Sequence, residues 1–198
     1  MGIYLDSAKP EDARRAQSLV FVEAITTNPT LIAATGRPGL DVLGELVEIF
    51  DGHVFYQVTA PTGEGRVDEA WEAHEIRPDK VVIKIPATTE NFAMAAKLVD
   101  AGIECAMTAV YSPAQAYLAA QTEVTFVIPH VNDLKHHLGD SMAVVRAMAR
   151  LVEGTSTEVL ATGLESVDEV VAALLAGAHH VAVPFDLILA MGDYTLAK

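Results

Sequence analysis

The chain has 198 residues, of which 51% are apolar and 20% charged, with a formal net charge of −14. That length suits one domain with a large core, and the composition excludes a disordered chain. The acidic balance argues against nucleic acid and anionic membranes as partners. No apolar run reaches the roughly 18 residues a membrane span needs, and no basic-then-apolar leader opens the chain, so a cytoplasmic protein is expected.

Strand and helix signals alternate from the N-terminus. Residues 2–6 read as a short apolar strand ending in Asp6, and 11–19 as a helix with Pro10 at its start. A second strand over 20–26 ends in Thr26, and Thr27-Asn28-Pro29-Thr30 reads as a turn. A small helical segment over 30–34 precedes a helix over 40–50, whose Leu43, Leu46, Val47 and Phe50 form a core-facing stripe. Strand three spans 54–59 and carries Gln57; a Glu-rich amphipathic helix over 63–76 follows. Strand four spans 81–87, and the helix over 91–101 stops at Gly102. Strand five spans 104–110, with Thr108 towards its end and the single cysteine, Cys105, as inert packing suited to a reducing compartment. Ser112-Pro113 opens the next helix with a cap and a proline at its first position. Strand six spans 124–131, with His130 near its end, and the next helix is expected over 142–153. Strand seven spans 157–164 and carries Thr162, Ser166 and Glu169 match a capping box for a helix running to Gly177, and strand eight over 180–185 leads into a short helix from Asp186.

Eight strand–helix repeats predict a single-domain (β/α)8 TIM barrel over 1–198. A doubly wound open sheet is the rival, but it needs a glycine-rich loop after strand one, where the chain reads Asp6-Ser7-Ala8-Lys9-Pro10.

The run Val81-Val82-Ile83-Lys84-Ile85-Pro86 places one charge inside a β-branched strand. Period-two alternation turns Ile83 and Ile85 to one face and Val82, Lys84 and Pro86 to the other. A desolvated ammonium has a lowered pKa, and a neutral amine is what Schiff-base chemistry on a carbonyl requires; the bland alternative is a lysine that snorkels to water. Asp6, Thr26, Gln57, Thr108, His130 and Thr162 fall near the ends of the other strands, with Asn28 just beyond strand two. In a barrel these positions converge on one mouth, where such folds place their chemistry. An amine nucleophile, a carboxylate to move protons and neutral groups to hold hydroxyls suit class I aldol chemistry, with Lys84 as nucleophile and Asp6 as proton acceptor.

At these residues the chain resembles the small transaldolase family that includes fructose-6-phosphate aldolase. The resemblance is carried in order by Leu5-Asp6-Ser7-Ala8, Ile25-Thr26-Thr27-Asn28-Pro29-Thr30-Leu31-Ile32, Val82-Ile83-Lys84-Ile85-Pro86-Ala87-Thr88, Thr108-Ala109-Val110-Tyr111-Ser112 with Gln115-Ala116, and Ala176-Gly177 leading to Val183-Pro184-Phe185-Asp186. It implies Lys84 as the Schiff-base lysine and Asp6 as the proton-transferring carboxylate. Asn28 and Thr26 would bind the hydroxyls of a dihydroxyacetone unit, and Gln57 and Thr108 would hold a catalytic water. Glutamine at position 57, where transaldolases tend to carry glutamate, resembles the aldolase branch.

Three positions depart from the family pattern. Asn132 is followed by Asp133 where the family has a phosphate-binding arginine, Gly163 stands where it has a serine for the same phosphate, and His130 replaces a tyrosine of the aldolase branch that helps position the water. Thr162 and Gly163 complete the candidate substrate contacts. Lys135 and a helix N-terminus are the available compensation for a lost phosphate site. The chain also stops short of a further helix that family members carry across a subunit interface; a homo-oligomer is nevertheless expected. The pairs His136-His137 and His179-His180 point apart on their elements, so no metal site and no cofactor are expected. The implied activity is that of a class I aldolase handling small ketose and aldehyde substrates, with dihydroxyacetone or hydroxyacetone as donor. The alternatives are a transaldolase passing that unit to an aldehyde acceptor, and a non-catalytic sugar-binding barrel.

Overall fold

The computed structural model describes residues 1–193. Eight parallel strands close into a barrel in sequence order: β1 (Gly2–Asp6), β2 (Val22–Thr26), β3 (His53–Gln57), β4 (Val81–Pro86), β5 (Cys105–Thr108), β6 (Phe126–Ile128), β7 (Glu158–Ala161) and β8 (His180–Val183). The connecting helices are α1 (Pro10–Gln17), α2 (Pro29–Ala34), α3 (Gly39–Ile49), α4 (Gly63–Ile76), α5 (Thr89–Asp100), α6 (Pro113–Gln121), α7 (Val131–Leu138), α8 (Ser141–Val152), α9 (Val167–Leu175) and α10 (Phe185–Gly192). This is the expected (β/α)8 barrel; the tail end of its expected span, 194–198, lies outside the described residues.

Strand alternation divides the buried residues into two cores. Leu5, Ile25, Val54, Ile83, Ile85, Met107, Val127, Val159 and Val181 face outward and pack against the helices, joined by the Leu43, Leu46, Val47 and Phe50 stripe of α3. Tyr4, Ala24, Phe55, Val82, Ala106, Phe126, Ile128, Leu160 and Ala182 face inward and fill the barrel. Ala24, Ala106 and Ala182 leave room between the larger side chains of this plug, so three rings can meet at its centre. The Phe55 ring centroid lies 5.0 Å from that of Phe126 and 5.7 Å from that of Tyr4, within the range of favourable tilted pairs. Two residues further along the strands, the inward positions become Asp6, Thr26, Gln57, Lys84 and Thr108. The apolar plug is therefore a floor, and the polar residues stand on it.

Several boundaries differ from the sequence-based expectation. The second strand starts at Val22 rather than residue 20: Val20 is 96% exposed and Phe21 half exposed, so apolar character there reports no burial. Thr27–Thr30 is not a free turn, because α2 begins at Pro29 and the Asn28 carboxamide oxygen accepts the Leu31 amide at 2.9 Å as its cap. Strand five ends at Thr108 because Ala109 takes a left-handed φ of +54°. Strand six is only three residues long, and α7 starts at Val131, where a strand was expected to continue. The break is Pro129, whose carbonyl accepts the Thr162 amide at 3.1 Å while Val131 donates to the Thr162 carbonyl at 2.8 Å. Strand seven stops at Ala161, ahead of Gly163 with its φ of +67°. Phe185 belongs to α10 rather than to strand eight, and lies beneath the Arg15 guanidinium at 4.0 Å, which fastens α10 to α1. Ser166 caps α9 as expected, but the Glu169 carboxylate accepts the Glu165 amide at 2.8 Å instead of closing the box on Ser166.

The aromatic floor generates one stability prediction. Phe55→Ala removes a fully buried ring from a site hemmed in by closed strands, and should lower unfolding free energy by about 3–5 kcal/mol in a urea titration. A loss under about 1 kcal/mol would show that the plug repacks freely.

Candidate active site

The C-terminal ends of the strands enclose a cavity of about 550 Å³. Its wall brings together Asp6, Thr26, Asn28, Gln57, Lys84, Thr108, His130 and Thr162, all eight drawn from the residues singled out in the sequence. Gly163 is the exception; it backs onto the His130 ring instead of lining the space.

Lys84 sits on the inner face of β4, two residues above Val82, and is only 4% exposed. It does not snorkel. Its Nζ donates to the Thr27 main-chain carbonyl at 2.7 Å and stands 3.5 Å from Thr26 Oγ1. Thr27 is itself fixed, because its hydroxyl donates to the Phe55 carbonyl at 2.8 Å. Desolvation pushes the Lys84 ammonium down to about 8, against the opposing pull of the Asp6 charge. At pH 7 that leaves roughly a tenth of the amine neutral, against roughly three parts in ten thousand for an ordinary lysine.

Asp6 is held above the usual carboxylate range by burial, and the charges of Lys84 and His130 and a hydrogen bond with Thr26 only partly counter this. Gln57 is the register neighbour of Lys84 on β3 and Thr108 lies beside Pro86 on β5, so an amide and a hydroxyl flank the amine. Asn28 spends its oxygen on the α2 cap, which leaves its Nδ2 as the group it can offer the cavity. Thr162 Oγ1 donates to the Pro129 carbonyl at 3.3 Å.

At the mouth, His130 Nδ1 lies 3.1 Å from Asp133 Oδ2, though out of line for a hydrogen bond. Tyr111 donates its hydroxyl to the same oxygen at 2.9 Å, and burial together with that bond pushes the phenol pKa up. Tyr111 and Asp133 both line the cavity and were not counted among the expected site residues. They lie 22 positions apart and meet only because β5 and β6 are neighbours. Among the described lining residues Lys84 is the sole lysine and there is no arginine. Lys135, the expected compensating cation, is occupied elsewhere: its Nζ pairs with Glu169 at 2.9 Å.

Among the described residues no three His, Cys, Asp or Glu side chains gather in a way that could hold a metal ion. His179 Nδ1 accepts the Val159 amide at 2.9 Å, and His180 Nε2 stands 2.7 Å from Glu158. Cys105 is buried on the outer face of β5, and desolvation pushes its thiol up to about 12, which makes it a poor nucleophile. No described helix is long and apolar enough to cross a membrane.

Comparison with known proteins concerns the chain as a whole. A crystal structure of inosine 5′-monophosphate dehydrogenase from Legionella pneumophila superposes with a TM-score of 0.69 at 11% identity, over 94% of this chain and 58% of that one, a likeness of fold alone. Proteins named probable transaldolase are similar along the whole length. That of Symbiobacterium thermophilum is 34% identical over 186 residues, covering 93% of this chain and 86% of its own. That of Desulforudis audaxviator is 36% identical over 198 residues, covering 99% and 92%. The family model described as transaldolase/fructose-6-phosphate aldolase matches residues 3–197, and the chain belongs to that family.

Proposed function

We propose that this barrel is a class I aldolase that breaks or forms a carbon–carbon bond in a polyhydroxy ketone through a Schiff base on Lys84. The observation that carries the reading is the buried Lys84 amine, brought down to about 8 and opening onto the same cavity as the Asp6 carboxyl, whose pKa burial raises.

The neutral Nζ adds to the ketone carbon, and loss of water from the carbinolamine leaves an iminium. Asp6 takes the proton of the hydroxyl on the carbon beyond the scissile bond. As that bond breaks, its electron pair moves into the iminium, the aldehyde departs, and an enamine remains. Protonation of the enamine carbon and hydrolysis of the iminium release the three-carbon ketone, dihydroxyacetone or hydroxyacetone. Asn28 and Thr26 hold the donor hydroxyls, and Gln57, Thr108 and His130 surround the water. The expected phosphate contacts are replaced by Asp133 and by Gly163, and no lining arginine offsets the Asp6 and Asp133 carboxylates. An anionic group at this mouth would meet charge of its own sign, so a neutral acceptor aldehyde suits it. A second reading, transfer of the three-carbon unit to an acceptor without its release, rests on relatives that are named probable transaldolase.

Three outcomes are expected. Borohydride added with a ketose should fix the sugar on the peptide containing Lys84, at a rate that climbs as pH rises through about 8, and Lys84→Met should abolish the adduct. Modification elsewhere, or none, would remove the enzymatic account. Fructose should be turned over at least as efficiently as fructose 6-phosphate in a direct kcat/KM comparison; a strong preference for the phosphorylated sugar would overturn the neutral-acceptor reading. Free dihydroxyacetone should appear without any acceptor aldehyde, whereas strict dependence on acceptor would favour transfer.

A further inference from the structure

Four observations at the cavity mouth concern one imidazole. The backbone around His130 is clamped, with Thr162 donating to Pro129 and Val131 donating to Thr162. A Cβ placed on Gly163 would stand 2.6–2.8 Å from Cε1, Nε2 and Nδ1 of His130, so the ring occupies the room a side chain at 163 would need. On the other side Asp133, one turn along α7, brings a carboxylate oxygen 3.1 Å from Nδ1, and Tyr111 holds that oxygen from across the mouth. The remaining nitrogen, Nε2, makes no hydrogen bond among the described residues, and the ring lines the same cavity as Lys84 and Asp6.

We infer that Asp133 and Gly163 are positioning residues for His130, fixing its imidazole so that Nε2 handles the water that enters and leaves the Lys84 iminium. This rests on the Schiff-base reading above. A carboxylate facing Nδ1 holds the imidazole proton on that nitrogen and leaves Nε2 basic. In hydrolysis Nε2 accepts a proton from water as the water oxygen bonds to the iminium carbon and the C=N pair returns to nitrogen. The imidazolium gives that proton to the nitrogen as the C–N bond breaks. It then takes the carbinol hydroxyl proton as the carbonyl forms. The products are a ketone, a neutral Lys84 amine and an imidazolium beside Asp133. The reverse sequence forms the iminium. The cycle moves protons at the sugar hydroxyl and the enamine carbon on one side and at the water on the other, and the cavity holds two groups suited to these tasks, Asp6 beside the amine and His130 at the mouth. The charged and titratable groups that share the cavity with His130 are Asp6 from β1, Lys84 from β4, Tyr111 before α6 and Asp133 from α7. The 3.1 Å pair is out of line, and catalytic bonds of this kind tighten when substrate binds.

The same two replacements thereby acquire a joint meaning. A side chain at 163 would collide with the ring, and an arginine at 133 would repel its charged form, so histidine at 130 requires glycine and an acid at the other two positions.

The test follows the approach to iminium equilibrium with dihydroxyacetone, sampled by borohydride at short and long times. Asp133→Asn, at a half-exposed position, and Gly163→Ala should each slow the approach about tenfold or more while the long-time adduct yield stays at the native level. His130→Ala should be slowed further, and free imidazole in the buffer should restore much of its rate. Thermal unfolding of each variant reports fold integrity, and Asp133→Asn serves should Gly163→Ala melt early. Approach rates within twofold of native for folded variants would overturn the inference, as would a fall in final yield, which signals a displaced Lys84. Absence of any adduct in the unaltered chain would instead overturn the Schiff-base reading, and this inference with it.

Discussion

Burial, net of the opposing Asp6 charge, disfavours the charged form of the Lys84 amine by roughly 3 kcal/mol, and the upper half of the barrel is arranged round that constraint. An isolated ammonium so deeply buried would be untenable; one that keeps a carbonyl at 2.7 Å and a carboxylate within electrostatic reach can exist in either state. The environment therefore does not choose charged or neutral outright. It brings the two close in energy near neutral pH, where a nucleophilic amine is most useful. Asp6 is subject to the same desolvation with opposite sign, since burial favours its uncharged acid. Burial thus lowers the proton affinity of the amine and raises that of the acid, which narrows the gap between the two.

The division of the barrel interior into an apolar floor and a polar upper layer separates stability from chemistry. Tyr4, Phe55 and Phe126 bury large rings below the reactive layer, with the His180 imidazole packed against Tyr4 and Phe126. The layer above is built of residues whose hydrogen bonds run largely to main-chain atoms: Lys84 to Thr27, Thr27 to Phe55, Thr162 to Pro129. Because floor and layer share strands, a disturbance in the floor reaches the site by a two-residue path. The Thr27–Phe55 bond makes that path explicit, since the residue that orients the amine is tied to the backbone of the central ring.

What was legible in the sequence was local. Alternation places Lys84 on the same face as Val82 because strand periodicity needs no tertiary knowledge, and the repeat of strands and helices leads to the barrel and so to a shared mouth. What was not legible lay at junctions. The β-branched content over 124–131 reads as one strand, yet Pro129 interrupts the ladder and α7 starts two residues later. Asn28 reads as a turn residue, although an Asn-Pro pair also suits a cap followed by a proline in the first turn, which is how the chain uses it. Gly163 reads as a missing phosphate ligand. Its packing against His130 depends on strands six and seven standing side by side, which no window of sequence contains. The meeting of Tyr111 with Asp133 was hidden for the same reason.

The shorter hydrogen bond of the Lys84 amine ends on the oxygen of a peptide unit. No exchange of side chain at residue 27 can delete it, and no change of acidity can neutralise it. Side chains round the rim can therefore change while the partner of the most deeply buried amine stays beyond the reach of point substitution. The innovation is confined to the periphery by the grammar of the backbone itself.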